Sequence, residues 1–193
     1  MYYWFSNLKR RLIMLKNTDE QFGLISTYIH WVSAIMVFSL FALGYWMVDL
    51  TYYSEWYREA PYYHKSFGLT LFLLTVLRIT WKLKNKTPKN IGSNTTEHQL
   101  AKLAHLVLYG VLLCIIFSGY LISTADGRGI ELFNLITVPS MGELFANQED
   151  LAGEVHEIAA YTIMAMVALH VVAALKHHFI DKDETIKRMT QFK

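Results

Sequence analysis

The chain has 193 residues, of which 53% are hydrophobic and 18% charged, with a formal net charge of +2 and a mean hydropathy of +0.24. Its apolar residues gather into uncharged runs of 18 to 28, which excludes an ordinary water-soluble domain and points to a membrane protein. A single cysteine, Cys114, excludes a disulfide framework or a thiolate metal site, and the charge pattern gives no reason to expect a nucleic-acid partner.

Residues 1–20 are aromatic and basic, with no small-residue cleavage site, so they do not read as a signal peptide. Two readings stay open for residues 1–13: a short interfacial helix, or an extension ahead of a start at Met14. From Gln21 to Val48 there are 28 uncharged residues, predicting a first spanning helix over 27–50 with His30 near its start. The loop that follows has the Tyr and Trp density of a membrane interface. Pro61 suits the entry to a second helix over 62–83, where His64 precedes a short uncharged core and Arg78 lies inside the far end. A basic, then polar, loop leads to a third helix over 102–125 with His105 near its start. Residues 126–153 are the longest connection, and their apolar middle is expected to pack onto the membrane face. The last stretch, 153–183, carries His156 and His170 and ends in KHHFIDKD. No repeat or linker divides the chain. The expected fold is an all-α membrane protein, a four-transmembrane-helix bundle over 27–180, with an N-terminal segment 1–26 and a tail 181–193.

Orientation follows from charge. Four spans leave both termini on one side. That side, with the loop between the second and third helices, holds all Lys and Arg except Arg58, Lys65 and Arg128, which is 15 of 18. The positive-inside rule places both termini in the cytoplasm. The outer side carries ten acidic residues against those three basic ones.

The histidines then sort by depth. His156 and His170 are 14 apart, almost four helical turns, so they share a face about 21 Å apart along one helix. Two polar residues satisfied by neighbouring helices would give the same pattern. Orientation, however, gives each a partner at its own depth: His30 with His170 at the inner edge, His64 with His156 at the outer. Paired neutral imidazoles are the axial ligands of a low-spin haem, so two stacked b-type haems are expected, forming an electron path across the membrane. Zinc would want a third or fourth ligand at each level, and the spans offer no carboxylate or thiolate to serve as one. Arg78, 14 residues after His64, is placed to pair with a haem propionate or to snorkel to the headgroups. His105 is read as a hydrogen-bond donor to a propionate or backbone carbonyl, or as a competitor of His30. His177, seven residues after His170, suits a quinone carbonyl and its proton. Gly44 and Gly119, 14 residues after His30 and His105, leave room for a porphyrin.

The segments GLISTYIHW at 23–31, HKSFGLTLFLLTVLRITW at 64–81, SGYLISTADG at 118–127 and VHEIAAYTIMAMVALHVVAALKHHFIDKDETIKRM at 155–189 resemble the bacterial di-haem cytochrome b561 family. The resemblance implies a haem on His30 and His170 toward the cytoplasm and another on His64 and His156 toward the periplasm. It also implies electron exchange with ubiquinone in the inner membrane, and an unknown redox protein or periplasmic donor as partner. Two alternatives stay open: oxidation of superoxide at the outer haem with reduction of ubiquinone, and service as the cytochrome b anchor of a larger oxidoreductase.

Overall fold

A helix surrounded by hydrocarbon has no reason to confine its apolar residues to one side, and none of the four long apolar segments does so. The computed structural model describes residues 15–92 and 95–190. Its elements in chain order are α1 (Leu24–Met47), α2 (Glu59–Lys84), α3 (Thr95–Thr124), β1 (Ile130–Leu132), β2 (Ile136–Val138), α4 (Gln148–Phe179) and the single turn α5 (Lys187–Thr190). The four long helices, of 24, 26, 30 and 32 residues, are each long and apolar enough to cross a membrane. The readings offered for residues 1–13 lie outside the described residues.

The long helices agree with the four expected spans; α2, α3 and α4 begin earlier, at polar ends, while α1 lies three residues earlier at both ends than the expected 27–50. α3 begins at Thr95, seven residues before the expected 102, because Thr95, Thr96 and Glu97 form a polar first turn that hydropathy does not announce. Glu97 there complements the positive end of the helix. α4 begins at Gln148 rather than at 153, with Glu149 and Asp150 in its first turn.

Two compact units divide the described residues, and each contains part of every long helix. The first comprises 15–34, 74–92, 95–103 and 168–190. Asn17 organises it: its Oδ1 accepts from the Gly23 amide at 2.9 Å and the Ser26 hydroxyl at 2.6 Å, while its Nδ2 donates to the Lys86 carbonyl. Trp81 Nε1 donates to the same Ser26 hydroxyl. The tail is fixed from its own end, with Trp31 Nε1 donating to the Met189 carbonyl at 2.7 Å and Arg188 to the Lys89 carbonyl at 2.6 Å.

The second unit comprises 35–73 and 104–167. Leu71, Leu112 and Ile163 form its buried apolar centre, flanked by Met36, Val37 and Val167. Small hydroxyl residues are buried beside them: Ser66, Ser118 and Thr124 are each at most 4% exposed, whereas Ile35 and Leu106 are 63% and 69% exposed. An interior of small polar residues and an apolar exterior suit a protein whose solvent is lipid.

The connection 126–153 is more ordered than its apolar middle suggested. β1 and β2 form an antiparallel hairpin with Ile130 opposite Val138. Its turn places Phe133 and Asn134 at positive φ, and the Ser66 hydroxyl donates to the Glu131 carbonyl and accepts from the Phe133 amide. Buried Gln148 ties the start of α4 to the end of α3: its Nε2 donates to the Leu121 carbonyl at 2.9 Å, and its Oε1 accepts from the Leu144 amide at 2.7 Å.

Candidate functional site

In the second unit α2 and α4 bring His64 and His156 together, with ring centres 6.2 Å apart and planes inclined by 69°. Neither imidazole has room behind it. A Cβ on Gly44 would stand 3.1 Å from His64 Cε1, and one on Gly119 would stand 3.0 Å from His156 Cε1. The space expected for a porphyrin beside these glycines is taken by the imidazoles themselves. His156 Nδ1 lies 2.9 Å from the Ile115 carbonyl oxygen and 3.2 Å from the Ser118 hydroxyl. A carbonyl only accepts, so Nδ1 carries the proton and Nε2 keeps a free lone pair. His64 Nδ1 is the one buried side-chain polar atom among the described residues that finds no hydrogen-bond partner.

These features fit axial ligation. With C–N bonds of about 1.33 Å and metal–nitrogen bonds of about 2.0–2.1 Å, two imidazoles on opposite sides of one ion have ring centres about 6.3 Å apart. A backbone carbonyl on Nδ1 is the usual device that orients a ligating histidine. An orphaned buried nitrogen costs free energy unless something completes its environment. With two imidazoles and, among the described residues, no third metal-ligand side chain grouped with them, the pair suits an ion whose other positions are filled by a macrocycle.

In the first unit α1 and α4 pair His30 with His170, at 6.5 Å between ring centres and 73° between planes. Arg78, from α2, sits on this pair with Nη2 2.8 Å from His30 Nδ1. His177 also belongs to this unit. Its Nδ1 is 2.8 Å from an Asp183 carboxylate oxygen and 3.1 Å from one of Asp181. Partial burial raises the Asp183 carboxyl, but the Thr185 hydroxyl and amide, together with His177, outweigh this and hold it below the usual carboxylate value. Among the described residues, Glu97, His177 and Asp181 form the one group of three metal-ligand side chains. The cation in that group is Lys176, whose ammonium contacts Glu97 at 3.0 Å and Asp181 at 2.8 Å.

Of the residues singled out in the sequence, His30, Arg78, His170 and His177 fall in the first unit, and His64, His156 and half-buried His105 in the second. Both expected histidine pairs are brought together. Sequence reasoning missed Ser118 and the Ile115 carbonyl as partners of His156; Ser118 precedes the flagged Gly119, but nothing in spacing says which helix faces it. It also missed the direct contact of Arg78 with His30, although it had placed both residues toward the cytoplasmic edge.

The sequence profile described as prokaryotic cytochrome b561 matches residues 21–192. The chain belongs to this family. Among its relatives within prokaryotic cytochrome b561, the "Cytochrome b561 homolog 2" of Escherichia coli (strain K12) is 46% identical over 90% of this chain and 93% of that protein. The "Cytochrome b561 homolog 1" of the same organism is 25% identical over 88% of the chain and 97% of that protein. A Yersinia pestis protein named "Probable superoxide oxidase CybB" is 24% identical over 88% and 96%. Family membership and four apolar helices make this a multi-pass inner-membrane electron-transfer protein of a b-type cytochrome family.

Proposed function

We propose that the protein holds two haem b groups, one between His64 and His156 and one between His30 and His170, and exchanges electrons with ubiquinone. The observation that carries this reading is the pair of ring separations, 6.2 and 6.5 Å, each built from two different helices. Bound haem supplies one-electron exchange at iron. The chain supplies ligands, the hydrogen bond that orients His156, and a dry surround. α4 contributes a histidine to each pair, and its His-x13-His spacing supports electrons crossing the membrane. The charge bias supports cytoplasmic termini, and the run of apolar helices supports 27–180 as the cytochrome domain with 1–26 and 181–193 flanking it.

His177 is the residue assigned to quinone. With Nδ1 donating to Asp183, its Nε2 is the acceptor nitrogen, the arrangement by which a His–Asp pair takes up or gives back a proton. An unknown redox protein or periplasmic donor is the remaining partner.

The test is haem stoichiometry. Purified protein should give about two haems per chain by pyridine haemochrome, with a b-type α-band on reduction. His170→Ala should leave about one haem and the spectrum of the His64/His156 site. Fully loaded protein with a single haem per chain would overturn the two-site reading.

A second reading takes its support from the relative named probable superoxide oxidase. Two superoxide anions would each give up one electron, releasing two O2, and the two electrons with two protons would convert quinone to quinol. A superoxide pulse that reduces no quinone would eliminate this activity without touching the haem assignment.

A further inference from the structure

The two histidine pairs are alike in ring separation and opposite in hydrogen bonding. His156 Nδ1 faces a carbonyl oxygen, which can only accept. His30 Nδ1 faces a guanidinium, which can only donate and stays charged at any relevant pH. The first contact puts the imidazole proton on Nδ1 and frees Nε2. The second makes Nδ1 the acceptor, so neutral His30 carries its proton on Nε2. In that tautomer one nitrogen is protonated and the other is occupied by Arg78, and neither offers a lone pair to a metal.

From this contrast we infer that Arg78 is a latch on the His30/His170 site, which becomes ligating only when a carboxylate takes the guanidinium away from His30. The inference rests on the haem reading above. An ionised carboxylate offers Arg a bidentate pair with charge on both partners, in place of the single bond from Nη2 to a neutral ring nitrogen. Once Arg78 turns to it, the His30 proton moves from Nε2 to Nδ1 with no net gain or loss, and Nε2 is bare. The chemical class this site selects is therefore a metalloporphyrin bearing free carboxylates. The His64/His156 site makes no such demand, since backbone puts the His156 proton on Nδ1 and no donor occupies His64 Nδ1. Arg78 acts here as a positioning residue that works through His30.

The experiment uses the full-length chain, produced without haem in detergent micelles and titrated with iron protoporphyrin IX or with its dimethyl ester, whose carboxylates are capped and neutral. Wild type should bind about two acid porphyrins per chain and about one ester. His156→Ala should lose that ester, and Arg78→Leu should bind about two. Nitrogen-15 shifts of labelled histidine, assigned with His30→Gln, should show His30 Nδ1 accepting a strong hydrogen bond, with the proton on Nε2, in the porphyrin-free wild type, and that hydrogen bond should be lost in Arg78→Leu. An Arg78 that only paired with carboxylates would leave His30 Nδ1 without that hydrogen bond in the porphyrin-free wild type. That result, or wild type binding two esters, overturns the latch. Should Arg78→Leu fail to fold, the two wild-type measurements decide alone. Failure of the haem reading looks different: neither porphyrin would bind, or binding would be indifferent to His156→Ala.

Discussion

Gly44 and Gly119 matter for the atoms they lack. A methyl group at either position would stand 3.0–3.1 Å from an imidazole carbon, closer than ordinary carbon–carbon contact, and a branched side chain would force the ring aside. Ligation depends on ring position within about half an ångström. On the two-haem reading, Gly44→Val and Gly119→Val should therefore each lower haem content from about two per chain to about one, with loss of the His64/His156 spectrum. Gly110→Val is the control, since nothing lies within 4 Å of a Cβ there. Equal haem loss in all three would point to a general defect in helix packing. The sequence exposed these glycines by their 14-residue spacing from His30 and His105, yet each faces a different histidine. Periodicity reports which residues of one helix share a direction. It does not report what a second helix places in that direction.

At the scale of the element, the end of α4 is where polar structure takes over from hydropathy. The four spans were legible because lipid demands long uncharged runs, and the same rule is silent wherever a helix leaves the apolar layer. The early start of α3 at Thr95 and the hairpin between α3 and α4 therefore escaped. The docked tail escaped too, because single hydrogen bonds such as Trp31 to the Met189 carbonyl leave no pattern in the sequence. Within the tail, Asp183 joins His177 to the Thr185 amide. Its carboxyl lies below its unfolded value of about 3.9, so the ionised form binds the folded tail more strongly than the protonated one. The sign follows: this contribution is complete above about pH 4 and is lost as pH falls through the lower folded value. Acidification below about pH 4 should expose the 181–190 backbone amides to faster hydrogen exchange, relative to the rest of the chain, and Asp183→Asn should show that exposure already at pH 7. Tail exchange that is the same in both proteins at pH 7 would remove Asp183 from the docking.

At the scale of the whole molecule, the most informative quantity in the sequence was the placement of charge, since the four-span topology gathers onto one side 15 of the 18 basic residues that a net +2 hides. That asymmetry also bears on what the outer surface can attract. Arg58, Lys65 and Arg128 are the basic residues assigned to it, against ten acidic ones. The structure reduces this set further, because Arg128 donates through Nε to Asp126 at 2.7 Å, and the hydrogen bond holds the Asp126 carboxyl below its usual range. Asp126 thus stays ionised, and the two side chains cancel each other's charge throughout the neutral range. What faces an approaching anion is then net negative. Capture of superoxide by such a surface should be slowed by repulsion at low ionic strength and relieved as salt shortens the Debye length from about 30 Å to about 3 Å. If the second reading, superoxide oxidation, holds, quinone reduction driven by a superoxide pulse, measured in proteoliposomes, should rise by about two- to tenfold between about 10 mM and 1 M salt. A fall over that range would mean that Arg58 and Lys65 form a local entrance strong enough to override the surrounding acid, and Lys65→Gln should then abolish the salt effect.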